Sequence, residues 1–376
     1  MVAHRSFDQI KDGFMTQKIH RDALNTAKRI VVKAGSKVLV QRTGRPDRRR
    51  LGLLVHDLAA LEHAGRELAF VSSGAVGAGL EALGLKTRPK EIPDLQMAAA
   101  VGQSRLMSLY DELFGKEKCH IGQVLLTHDA LKHRERHLNA RNTLLNLIAH
   151  RIIPIINEND AISTEEIKFG DNDVLAALVA ILVDADALVL LSTTDGLRDE
   201  TDRRVSYIEE VDESVLSLVC DEKNHLSTGG MASKLKSAQI AAQNGIPVVI
   251  ANGRKTGVLT RIFQGKDEGT LLLPKAGNMS KRKRWIAFFN RAEGHLVVDA
   301  GAAEALQKGK SLLPVGVKSI DGTFSMGAMV SIQTKDGEQI ARGLVEYSSD
   351  EIEAMKGQKT TEKSGEVIHR DNMVIL

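Results

Sequence analysis

Cysteine is nearly absent from this chain: Cys119 and Cys220 stand far apart in 376 residues. Two distant thiols argue against a disulfide framework or a zinc site and fit a reducing, cytoplasmic setting. No apolar run reaches the ~20 residues that span a bilayer, so no membrane helix is expected. Neither sign of charge dominates. The formal charge of +3 is too small to imply a nucleic-acid partner for the whole chain. Two glycine fingerprints are missing as well. No G-x4-G-K-[ST] loop occurs, and Gly74, Gly77 and Gly79 do not make G-x-G-x-x-G, which disfavours a P-loop enzyme and a dinucleotide-binding dehydrogenase. The H-E-x-x-H pattern is also absent, so His128, His133 and His137, near helical spacing, are expected to be solvated helix residues.

What is present can bury a core. Hydrophobic residues make up 43% of the chain, and its length suits two domains better than one. Short continuous apolar runs recur: Ile30-Val31-Val32, Leu68-Ala69-Phe70-Val71, Ile152-Ile153-Pro154-Ile155-Ile156, Ala187-Leu188-Val189-Leu190-Leu191 and Ile246-Pro247-Val248-Val249-Ile250. They do not alternate with polar residues, as expected of a parallel sheet covered on both faces. Helical patterns lie between them at 101–114, 174–183 and 231–243, the last stopped by Asn244-Gly245. The alternation predicts an α/β fold, a mainly parallel open sheet flanked by helices. Polar segments follow the runs. One sheet edge would therefore gather Lys33, just after the first strand, with Ser73, Asp160 and Thr193, where open sheets bind ligands.

After about residue 273 the pattern changes. Lys281-Arg282-Lys283-Arg284 precedes Trp285, the single tryptophan. Shorter, glycine-richer segments follow. Asp321-Gly322 and Asp336-Gly337 suit tight turns, and Val330-Ser331-Ile332-Gln333 alternates like a half-exposed strand. The expected division is an N-terminal extension (1–28), an α/β domain (29–273), a linker (274–294) and a small, mainly β domain (295–376). The extension lacks the apolar stretch of a signal peptide and is expected to fray or to form an accessory helix.

Two clusters of acids and amides stand in mid-chain, Asn157-Glu158-Asn159-Asp160 and Gly170-Asp171-Asn172-Asp173. Such residues favour turns, and they can also grip an ammonium group or hold lysines. In Ser227-Thr228-Gly229-Gly230-Met231-Ala232-Ser233-Lys234 a glycine pair opens a helical pattern. Its free amides would attract phosphate oxygens, and Lys234 would add a charge. A capped helix with a solvated Lys234 reads equally well. Lys33-Ala34-Gly35-Ser36 offers a second lysine and glycine-spaced amides. Together the two segments suggest cations flanking a transferring phosphoryl group. A carboxylate acceptor is already ionised at neutral pH. It needs neutralisation and alignment rather than a base.

The segments VVKAGSKVL, VSSGAVGAG, AAAVGQSRLMSLYDELF, RERHLNARNTL, IPIINENDAISTEEIKFGDND, STGGMASKLKSA and SLLPVGVKSIDGTFSMG with HRDNM run in order from about Arg29 to Met373. On these the chain resembles the glutamate 5-kinases of the amino-acid kinase family, whose bacterial members often carry a C-terminal PUA domain. The resemblance implies the amino-acid kinase fold and ATP-dependent phosphorylation of the γ-carboxylate of L-glutamate, the acyl phosphate feeding proline synthesis. By matching position, it implies that Lys33 and Lys234 stabilise the transferring phosphoryl group and that Asp173 orients them. It implies Ser73, Asp160 and Asn172 as the glutamate seat, with Asp160 meeting the α-ammonium. The ATP site would take Lys33, Gly35, Ser36, Ser192, Thr193, Thr228, Gly229, Gly230, Met231, Ala232, Ser233 and Lys234. Mg2+ would arrive on ATP, with no direct protein ligand assigned. Proline as feedback inhibitor and a homo-oligomeric state are implied by the family alone. A kinase for aspartate or acetylglutamate is the rival, and the free ammonium suggested by Asp160 and Asn172 argues against the N-acylated acid. RNA binding by the C-terminal domain is disfavoured, because the basic run is short and stacking aromatics are not clustered. Lys37 stands where the family often has Ser or Thr and is expected to point outward. Thr193 stands where Asp is frequent. Asn157 and Glu158 are expected to be turn-forming scaffold.

Overall fold

The computed structural model describes residues 18–41, 45–127, 131, 133–162, 172–220, 230–275, 286, 292–358 and 365–375. The chain divides into two units, Met1–Thr127 with His137–Gly277 and His128–Arg136 with Asn278–Leu376.

In the first unit the apolar runs become strands β1 (Arg29–Ala34), β2 (Glu67–Val71), β3 (His120–Leu126), β4 (Ile152–Glu158), β5 (Ala187–Ser192), β6 (Tyr207–Ile208), β7 (Val248–Asn252) and β8 (Thr270–Leu272). They form one sheet in the order β3-β4-β2-β1-β5-β7-β8-β6. Neighbours run parallel except β7 and β8, which are antiparallel. β1 lies inside the sheet and is ladder-bonded on both sides. Lys33 pairs with Val71 of β2 and with Leu190 of β5, so it is a strand residue rather than the start of a loop. Pro154 cannot donate to a ladder. It is accommodated because pairing of β2 with β4 starts only at Ile155.

β4 continues beyond its apolar run. Asn157 and Glu158 face Leu125 and Leu126 of β3 in register, and both are buried. They are strand residues, not the turn scaffold expected from their type. Helices Arg48–His63, Ile92–Lys116, Asn172–Leu182 and Met231–Gln243 flank the sheet. The helix expected over 101–114 already starts at Ile92, with Pro93 in its first turn, where a missing N–H costs nothing. The Met231–Gln243 helix ends before Gly245, whose φ is +78°.

Two helices touch backbone to backbone. A Cβ on Gly79 of the Ala75–Ala82 helix would stand 1.8 Å from the Ala98 carbonyl oxygen. One on Gly102 would stand 1.7 Å from that of Ala75. Glycine is the one residue that fits these places. Residues 18–24 are helical. Leu24 joins the main core, and buried Arg21 donates to the carbonyls of Ser206, Lys266, Glu268 and Gly269. This part of the expected extension is packed.

The second unit holds β9 (Gly294–Val298), β10 (Val317–Asp321), β11 (Met329–Gln333), β12 (Gln339–Leu344) and β13 (Met373–Ile375), in the order β10-β9-β11-β12-β13. Pairing is antiparallel except between β9 and β11. Gly337, with φ +83°, serves the turn between antiparallel β11 and β12. Gly322 (φ +94°) follows β10, but β10 pairs with β9, so no hairpin to β11 forms there. Val330, Ser331 and Ile332 are all buried. β11 is therefore covered on both faces, not half-exposed: Val330 and Ile332 join the core of this unit, and Met329 and Ser331 on the opposite face are buried as well.

Candidate active site

Lys33 reaches the site from the carboxyl end of β1. Asp173 sits in the first turn of the Asn172–Leu182 helix, where the helix dipole favours a negative charge. Lys234 projects from the Met231–Gln243 helix. The three meet: Lys33 Nζ donates to Asp173 Oδ1 at 2.6 Å, and Lys234 Nζ donates to Oδ2 at 2.7 Å. Each lysine is 5% exposed and Asp173 is 1% exposed, which settles against a solvated Lys234. Burial alone would push the Asp173 carboxyl up. The ammonium groups of Lys33 and Lys234 pull harder and hold it below its ordinary 3.8. Two ammonium groups thus converge on one carboxylate in a dry place, where charge interactions are strong.

Beside the triad lies a directional chain of amides. Asn172 Nδ2 donates to Ser73 Oγ at 3.1 Å, to the Ser72 carbonyl at 2.8 Å and to Asn157 Oδ1 at 2.8 Å. Asn157 Oδ1 also accepts from the Glu158 backbone N–H at 3.0 Å. Asn157 Nδ2 in turn donates to Gln103 Oε1 at 2.8 Å. Asp160 is not bonded directly to Ser73 or Asn172 among the contacts described. It lines a cavity of about 440 Å³ with Gln103, Ser104, Gln123 and Glu158.

The nucleotide segments are placed as follows. Gly35 precedes the short Ser36–Leu39 helix, and its amide is spent on the Leu191 carbonyl. A Cβ there would stand 3.6 Å from Lys33 Nζ, so the glycine lies beside that ammonium group. Ser36 and Lys37 are exposed, and Lys37 gives its carbonyl to the Arg254 guanidinium at 2.8 Å. Ser192 ends β5 and Thr193 follows it, half-buried. Gly230 caps the Met231–Gln243 helix in an extended conformation. Met231, Ala232 and Ser233 form the first turn, where amides lack intrahelical acceptors. Thr228 and Gly229 lie outside the described residues, as do Gly170 and Asp171.

Against a model of the amino acid kinase family, residues 28–252 match. The chain belongs to the amino acid kinase family. Residues 294–364 match the PUA domain. Among relatives of this amino acid kinase, the glutamate 5-kinase of Chromohalobacter salexigens is 45% identical over 375 residues, covering 96% of this chain and 99% of that one. The glutamate 5-kinase of Moorella thermoacetica is 43% identical over 377 residues, covering 96% and 100%. That of Geobacter metallireducens is 44% identical over 368 residues, covering 94% and 99%.

Sequence reasoning missed Asn157 and Gln103. A signal existed for Asn157: a polar residue continuing a run buried on both faces must be bonded. Gln103 sits next to Gly102 in the helical pattern and carries no comparable mark. The histidines need one correction. His133 is exposed, but His137 is buried, because its side of the helix faces protein. His128 lies outside the described residues. Among the described residues, the group with metal-ligand spacing is Glu62, His63 and Cys119. It lies before β2 and β3, at the sheet edge opposite the lysines.

Proposed function

We propose that this chain transfers the γ-phosphoryl group of ATP to the γ-carboxylate of L-glutamate, giving glutamyl 5-phosphate for proline synthesis. The observation that carries the reading is the buried Lys33–Asp173–Lys234 triad, whose neighbour Asn172 is bonded through Asn157 to Gln103, a residue lining the cavity that also holds Asp160. The relatives named glutamate 5-kinase support it. Lys33 and Lys234 neutralise charge that builds on the transferring group, and Asp173 fixes where they point. Ser73 and Asn172 align the carboxylate acceptor, and Asp160 meets the α-ammonium. Among the described residues lining the cavity there is no histidine, which suits an acceptor with no proton to remove. Gly35, Ser36, Ser192, Thr193 and the segment from Thr228 to Lys234 form the ATP site.

Magnesium enters as part of MgATP. Both Asp173 oxygens are engaged by lysines, so that carboxylate is not offered to the ion, whose ligands would be phosphates and water. The kinase domain takes residues 29–273 and the PUA domain 295–376. Proline acts as a competitive feedback inhibitor, and the enzyme works in the cytoplasm as a homo-oligomer. RNA is disfavoured as a partner of the C-terminal unit, because the basic run Lys281-Arg282-Lys283-Arg284 is short and stacking aromatics are not clustered.

A hydroxamate assay for acyl phosphate tests the reading. Product is expected with glutamate and MgATP, and its absence would sink the proposal. Comparing kcat/KM for glutamate, aspartate and acetylglutamate tests the acceptor. Titrated proline should raise the apparent KM for glutamate, and flat kinetics would remove it as inhibitor.

A further inference from the structure

We infer that Gln103 is a substrate-binding residue that holds the α-carboxylate of the amino-acid acceptor. This rests on the reading of the site as a glutamate seat. The argument begins at a backbone amide. The Glu158 N–H can only donate, so Asn157 must present Oδ1 to it. That choice fixes the whole chain of bonds. Asn157 Oδ1 also receives Asn172 Nδ2, which reaches the Ser72 carbonyl and Ser73 Oγ as well; an amide nitrogen cannot accept, so the Ser73 hydroxyl proton is left to point elsewhere. On the other side Asn157 Nδ2 must donate, and Gln103 must accept with Oε1. Gln103 is then left with its Nε2 donor. Among the described residues no protein group is bonded to that Nε2, and Gln103 lines the cavity that also holds Glu158 and Asp160.

The cavity thus sets N–H donors from Gln103 beside the carboxylates of Glu158 and Asp160. An α-amino acid carries the complementary pair, a carboxylate next to an ammonium. Ser73, at the other end of the same chain of bonds, is bonded to Asn172, the chain neighbour of Asp173, and serves the distal carboxylate. Gln103 therefore selects for an acceptor with two carboxylates, not merely one.

The test uses glutamate and 4-aminobutanoate, which keeps the ammonium and the distal carboxylate but lacks the α-carboxylate. Gln103→Glu keeps an oxygen for Asn157 and replaces the donor by a negative charge. Gln103→Met, of similar length, removes both. In both variants the KM for glutamate should rise about tenfold to hundredfold, with the KM for ATP unchanged. The inhibition constant of 4-aminobutanoate against glutamate should stay within about twofold in Gln103→Glu, since a contact it never makes cannot be lost. An equal rise for both ligands, or no rise for glutamate, would overturn the inference. Wild-type protein that makes no acyl phosphate from glutamate would fail the functional reading itself, and the inference with it.

Discussion

Asp173 holds its charge where almost no water reaches it, and it does so because two ammonium groups share it. Its carboxyl lies lower in the folded chain than its ordinary 3.8. The associated stability is therefore present above that value and is lost as pH falls through it toward the folded value. Thermal unfolding followed from pH 7 to pH 3 should show this acid loss, and Asp173→Asn should lack that component. At neutral pH the same variant takes a shared carboxylate away from two buried cations and should cost about 3–5 kcal/mol, readable in urea unfolding. Lys234→Ala should lower kcat by ~10²–10³, the usual cost of removing one preorganised charge stabiliser; an unchanged kcat would take Lys234 out of the catalytic set. Lys33 and Lys234 were legible in the sequence as candidates because each sits in a glycine-bearing motif, while Asp173 was singled out from its cluster only by the resemblance. The bond between them was not, since residues 33, 173 and 234 meet only through the sheet. Asn157 was misread for a related reason. Its type says turn, and only the β3 ladder says strand.

At the scale of elements, continuous apolar runs were a reliable guide to strands, and helical patterning to the helices between them. The strand order was not legible, nor was the reversal of β8 against β7, because pairing depends on crossovers rather than on composition. The start of the Ile92–Lys116 helix was missed because its small residues 98–100 give little contrast between faces. Those small residues serve the contact described above, where the helix lies against Ala75–Ala82 with no room for side chains. Gly102→Ala should therefore cost about 1–3 kcal/mol from overpacking. Because Gly102 is the chain neighbour of Gln103, the same change should raise the KM for glutamate more than the KM for ATP. Steady-state kinetics on soluble variant protein would check both, and an unchanged KM for glutamate would separate the helix contact from the seat.

At the scale of the molecule, the change in patterning near residue 273 was legible as a second unit, because glycine content and run length both shift there. The role of residues 18–28 was not. Arg21 ties the chain's early helix to carbonyls at Ser206 and at 266–269, and its guanidinium also pairs with Asp267 at 2.9 Å. Arg21→Ala should lower stability by about 1.5–3 kcal/mol, the scale of hydrogen bonds to a charged group, seen as a lower Tm with kcat little changed.

Lys33 owes its place to counting. Along a strand, odd and even positions face opposite ways, and β1 is locked on both flanks. A one-residue deletion before Lys33 that kept the strand in place would turn the ammonium group to the far side and bring a neighbour round in its stead. The sheet could survive such an error of parity while phosphoryl transfer stopped. The proposed role of Lys33 is thus tied to an integer: lengths in the connections can drift, but the number of residues between the start of β1 and Lys33 cannot.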